Sequence, residues 1–95
     1  MKVEISNIKY GHNVYDLVMG ASTVIFDANL SPKHIFCNID LSPRVRDSFS
    51  AFREKYNDKK LEYVFATDFG NISLYTTNKV PENTIVVTDD VHSVL

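Results

Sequence analysis

Hydrophobic spacing along this chain changes period several times, and each change marks an element boundary. From Ser42 to Tyr56 the apolar residues Val45, Phe49, Phe52 and Tyr56 recur at intervals of four, three and four, which stacks them on one stripe of a helix. Ser42 is placed to cap that helix, and Pro43 occupies the first helical position, where its missing N–H is of no consequence. Arg44, Asp47, Ser50, Arg53, Glu54 and Lys55 fall mostly outside the stripe. Asn57 tolerates the left-handed conformation that closes helices, while Lys59 and Lys60 suit the negative end of the dipole. The spacing predicts one amphipathic helix over about 42–57.

Elsewhere the period is two. From His34 to Leu41 every odd position is apolar and every even one is polar except Phe36, the pattern of a half-buried strand. Leu61, Tyr63 and Phe65 alternate with Glu62 and Val64, and Ile72 and Leu74 with Ser73 and Tyr75. The turn residues Thr67-Asp68-Phe69-Gly70-Asn71 stand between these runs, so 61–77 reads as a hairpin. Lys2 to Tyr10 alternates as well, closed by Gly11-His12-Asn13. Val24-Ile25-Phe26 and Ile85-Val86-Val87 are short and apolar, and read as interior strands. Val14 to Met19 fits two patterns: a helical stripe through Val14, Leu17, Val18 and Ala21, or a strand face through Tyr15, Leu17 and Met19. Flanking turn residues and the Val and Tyr content weigh towards a strand.

This order predicts an α+β fold, a mainly antiparallel sheet of about five to seven short strands with the 42–57 helix packed on one face. A sheet so built has edges. Val3-Glu4-Ile5 and Thr84 to Thr88 are the candidates, and pairing through them makes a homodimer or higher oligomer the expected state. A chain of 95 residues fills one core, so 1–95 is a single domain. With 44% hydrophobic and 12% aromatic residues it is too rich in core formers to be disordered. The single cysteine, Cys37, closes no internal disulfide. The longest apolar run, Tyr63 to Ala66, falls far short of the roughly 20 residues that span a bilayer. The first residues mix charges into their apolar positions, unlike a secretory signal, so a cytoplasmic protein is expected.

Charge is segregated along the chain. Residues 44–60 hold six basic and three acidic residues, whereas 61–95 hold Lys79 against five acidic ones. The net charge of -2 argues against a dedicated nucleic-acid binder. Within the basic middle, Ser-Pro-Arg-Val-Arg sets Arg44 and Arg46 at the start of the predicted helix, where free backbone N–H groups already favour anions. Arg53 follows seven residues after Arg46 on the same helical face, and Lys59 and Lys60 extend the positive field. Arg44, Arg46, Arg53, Lys59 and Lys60 are therefore the candidate binding site, suited to an acidic patch on a protein partner or to a small anionic ligand. Tyr75 and Phe36 are the aromatic positions expected on outer strand faces.

Catalytic patterns are weak. Asp68-Phe69-Gly70 matches the magnesium-binding tripeptide of kinases without any accompanying motif, and reads as a turn. His34 and Cys37 are three apart, so on a strand they point to opposite faces and cannot chelate together. Asp89-Asp90-Val91-His92 has ligand types but no second cluster to complete a shell. Gly11, Gly20 and Gly70 are too far apart for a phosphate loop, and there is no G-x-S-x-G elbow, so no cofactor is expected. The expected function is a small non-enzymatic binding protein acting by stoichiometric occupation of a partner, as an inhibitor or adaptor. Viral and mobile-element accessory proteins are a rich source of such chains. The alternative is sequestration of a small anionic, nucleotide-like ligand at the basic helix. A third reading is an enzyme of unrecognised type, with His12, His34 and His92 brought together across subunits.

Overall fold

Asn13 caps a helix. Its side-chain oxygen accepts from the Asp16 N–H at 3.1 Å, opening α1 (Val14–Asp27). Val14, Val18, Ala21, Ser22 and Ile25 form the buried stripe, and the Ser22 hydroxyl is satisfied by donating to the Val18 carbonyl at 2.8 Å. Beyond the helix Asn29 takes a left-handed turn at φ 63°. Val14–Met19 and Val24–Phe26, both expected as strands, are thus parts of one helix. The helical stripe prevails over β-branched content because it has a sheet to pack on. The computed structural model describes residues 1–57 and 60–94, and the side chains of all of these except Asn57, Lys60 and Leu61.

The helix expected over about 42–57 is much shorter. Here α2 covers Ser42–Ser48 alone, and Phe49 is already extended at ψ 145°. Leu41 stands at the cap position without a side-chain bond, and the Ser42 hydroxyl instead shares a 2.8 Å bond with that of Thr76. Arg53–Asn57 forms β3 and pairs antiparallel with β4 (Lys60–Thr67), setting Lys55 opposite Glu62 and Glu54 opposite Tyr63. Two effects end the helix. The Ser48 hydroxyl donates to the Val45 carbonyl at 2.7 Å, competing for the backbone of the last turn, and the strand pairing satisfies the backbone of 53–57, with Lys55 set opposite Glu62.

Four further strands complete one sheet among the described residues: β1 (Lys2–Ile5), β2 (His34–Cys37), β5 (Gly70–Thr76) and β6 (Ile85–Thr88), in the order β1-β6-β2-β5-β4-β3. Only β2 and β5 run parallel; the other neighbours are antiparallel, as expected. The β4–β5 hairpin is the one predicted from 61–77. Its turn has Gly70 at φ 96°, and the Thr67 hydroxyl accepts from the Phe69 N–H while donating to the Gly70 carbonyl. By contrast β6 is interior, lying between β1 and β2, so Thr84–Thr88 is not an edge. The edges are β1 and β3.

The core lies on the face where α1 rides over β1 and β6. Ile35, Cys37, Phe65, Ile72, Leu74, Ile85 and Val87 meet α1, Val45 and Phe49 there. On the opposite face Phe36 and Val86 are covered by Val80 and flanked by Tyr75, Val91 and Val94. α1 packs mainly on β1 and β6, and α2 on β5. No helix among the described residues is long and apolar enough to cross a membrane.

Candidate functional site

The basic residues are not gathered on one helix. Arg44 turns its guanidinium back onto the preceding loop, where Nη2 donates to the carbonyls of Lys9, Tyr10 and His12 at 3.2 Å each. It also lies 5.8 Å from the centre of the Tyr10 ring. Arg46 forks onto Asp47, with Nε to Oδ1 at 2.9 Å and Nη2 to Oδ2 at 3.3 Å, and this bond holds the Asp47 carboxyl below its usual range. Arg53 is on β3, not α2, so it does not share a helical face with Arg46. Opposite Val64, it points to the face away from Tyr63, the ring that Arg46 covers. Lys60 opens β4 opposite Asn57, and Lys59 lies outside the described residues. A shallow cleft of about 340 Å³ lies beside α2, lined by His12, Val14, Pro43, Arg44, Asp47 and Ser48. Its two charged walls, Arg44 and Asp47, are the groups already engaged.

Aromatic residues gather where the basic site was expected. Arg46 sits 5.8 Å from the Phe52 ring and 5.5 Å from that of Tyr63, and these rings meet edge to face at 5.1 Å. Phe52 is 41% exposed and Tyr56, on β3, is 71% exposed. Both were read as part of a core-facing stripe; the structure puts them at the surface because α2 stops short of them. Phe49 alone of that stripe's rings is buried, stacked on Phe65 with centroids 4.0 Å apart. An exposed Phe and a half-buried Tyr around a stacked Arg, with a further exposed Tyr on the edge strand, have the composition that protein interfaces favour.

The other face of the sheet holds a second group. His34, half-buried on β2, lies 5.6 Å from the Tyr75 ring, and Tyr75 stacks on Phe36 at 5.0 Å. Phe36, expected on an outer face, is fully buried. Burial first, and the negative Glu62 second, push the Tyr75 hydroxyl above its ordinary value. Cys37 points into the main core, where burial and Asp40 push its thiol up to about 12. Asp90 accepts from the His92 N–H at 2.9 Å, capping a short turn. No group of three or more His, Cys, Asp or Glu side chains suited to a metal ion occurs among the described residues.

His34 makes stability depend on pH. Burial, helped by Lys33 and opposed by Asp90 and Asp89, lowers its pKa below 6.5, and its Nδ1 is buried without a partner. The unfolded chain therefore binds the proton more tightly. The stabilisation is complete above about pH 6.5 and lost as pH falls towards the lowered value. In urea melts from pH 7.5 to 5.5, His34→Phe should lose less stability than the wild type. Equal losses in both proteins would show that His34 is not the group responsible.

No family model, curated protein or solved structure matches this chain.

Proposed function

We propose that this chain is a small non-enzymatic binding protein that acts by stoichiometric occupation of a protein partner, as an inhibitor or adaptor. The observation that carries this reading is the surface of Phe52 and Tyr63 around Arg46 at the β3–β4 end of the sheet, with Tyr56 exposed on the same face of the edge strand β3. Exposed aromatic rings and a stacked arginine are what interface hot spots are made of. The cytoplasm, and the accessory proteins of viruses and mobile elements, are the setting and class proposed for it. The small-anion alternative lacks such support, since Arg44 and Arg46 are already bonded within the chain and α2 is only 7 residues long.

The test is affinity capture from source lysate with the wild type and with Phe52→Ala/Tyr56→Ala, both quantified by mass spectrometry. One protein should be retained in near-equimolar amount by the wild type. The double variant should bind it about 30-fold more weakly, as loss of a hot spot implies. A partner held equally by both proteins would rule out this surface, and retention of a small molecule instead would favour sequestration.

A further inference from the structure

The open side of β1 carries a charge pattern that is its own complement. Backbone bonds of the central strands fix which peptide groups of β1 face outward. The Cys37 carbonyl accepts from the N–H of Thr77 at 2.9 Å, so odd-numbered residues of β2 turn their peptide groups to β5 and even-numbered ones to β6. His34 stands opposite Thr88 and Phe36 opposite Val86, which leaves Ile85 and Val87 to bond Ile5 and Val3 of β1. The N–H and C=O groups of Lys2 and Glu4 consequently point away from the sheet. Their side chains are both exposed and of opposite charge.

We propose that a second copy of this chain pairs antiparallel with β1 across a two-fold axis through Val3. In this register Lys2 of each copy stands opposite Glu4 of the other, and each such pair exchanges both of its N–H···O bonds. Val3 meets its counterpart as the close pair between them. Moving the axis one residue either way sets Lys2 against Lys2 or Glu4 against Glu4, which like-charge repulsion disfavours. The helical layer agrees. Tyr15 and Phe26 on one flank of α1 lean on Phe49 and Phe69, towards β4 and β5, so the other flank, with Leu17 and Val24, faces the β1 side. Val24 is 48% exposed there, and the two-fold axis brings it towards its counterpart. This edge lies at the far end of the sheet from Phe52 and Tyr56, so the pairing does not rest on the proposed function.

Sedimentation equilibrium at micromolar concentrations tests it. The wild type should show about twice the 10.8 kDa chain mass. Lys2→Glu and Glu4→Lys should each weaken the dimer about 10-fold or more, because each reversal turns two attractive pairs repulsive. The double variant Lys2→Glu/Glu4→Lys should regain it, and an equimolar mixture of the two single variants should associate. A wild type found only at 10.8 kDa overturns the proposal. So does a dimer indifferent to both reversals, or a mixture that stays monomeric.

Discussion

Phe65→Ala should destabilise the fold by about 3–5 kcal/mol, whereas Phe52→Ala should cost about 1 kcal/mol or less. Phe65 is fully buried and stacks on Phe49. Truncating it removes a ring that α1, α2 and the sheet close around, leaving a cavity in a close-packed interior. Phe52 keeps 41% of its surface in water and touches one ring edge to face. Urea denaturation of both variants gives the comparison directly. Equal losses would mean that Phe52 lies under cover, and the surface offered to a partner would be lost with it.

Arg44→Ala should cost about 1.5 kcal/mol, the low end for hydrogen bonds to a charged donor because the group is only partly buried. Arg53→Ala should stay within about 0.5 kcal/mol. The difference arises from what each guanidinium does. Arg44 ties three carbonyls of the loop before α1 to α2, while Arg53 sits exposed on an edge strand. Thermal melts of the two variants beside the wild type read this out. A harmless Arg44→Ala would return that residue to the pool of candidate ligand contacts.

Strands whose surroundings are uniform were legible from the sequence. Ile85-Val86-Val87 has no polar position, so both its faces had to be covered, and β6 is buried on both. The β4–β5 hairpin announced itself through alternation on either side of a turn. Val14 to Met19 was ambiguous because one set of residues satisfies two periods. In α1 the deciding cue was Asn13, a cap residue at the start of the stripe, which was read instead as the close of a strand. After α2 the helical spacing of Val45, Phe49, Phe52 and Tyr56 was a coincidence. The competing signal was Lys55 and Glu62, placed to face each other across a hairpin. Strand order was beyond reach, since periodicity tells which way a side chain points and not which strand lies next to it.

The candidate site was half legible for a related reason. Composition marked 44–60 as basic, yet the acceptors of Arg44 and Arg46 are backbone carbonyls and an adjacent carboxylate, which no count of charges reveals. Nor does spacing tell whether an apolar ring faces a core or a partner. Phe49 and Phe52, three apart on the same apparent stripe, went opposite ways.

The place of β6 governs how the chain can reach this structure. It is the latest strand in sequence, yet it inserts between the earliest strand and β2. Until residues 85–88 have been synthesised, β1 has no neighbour and β2 is paired on one side only. The closing contacts join Lys2–Ile5 to Ile85–Thr88, so the loop-closure entropy of nearly the whole chain falls on the final step. A partly made chain therefore displays, besides the edges that remain, strand edges of β1 and β2 that β6 covers in the finished one, which adds a hazard of misassociation during synthesis.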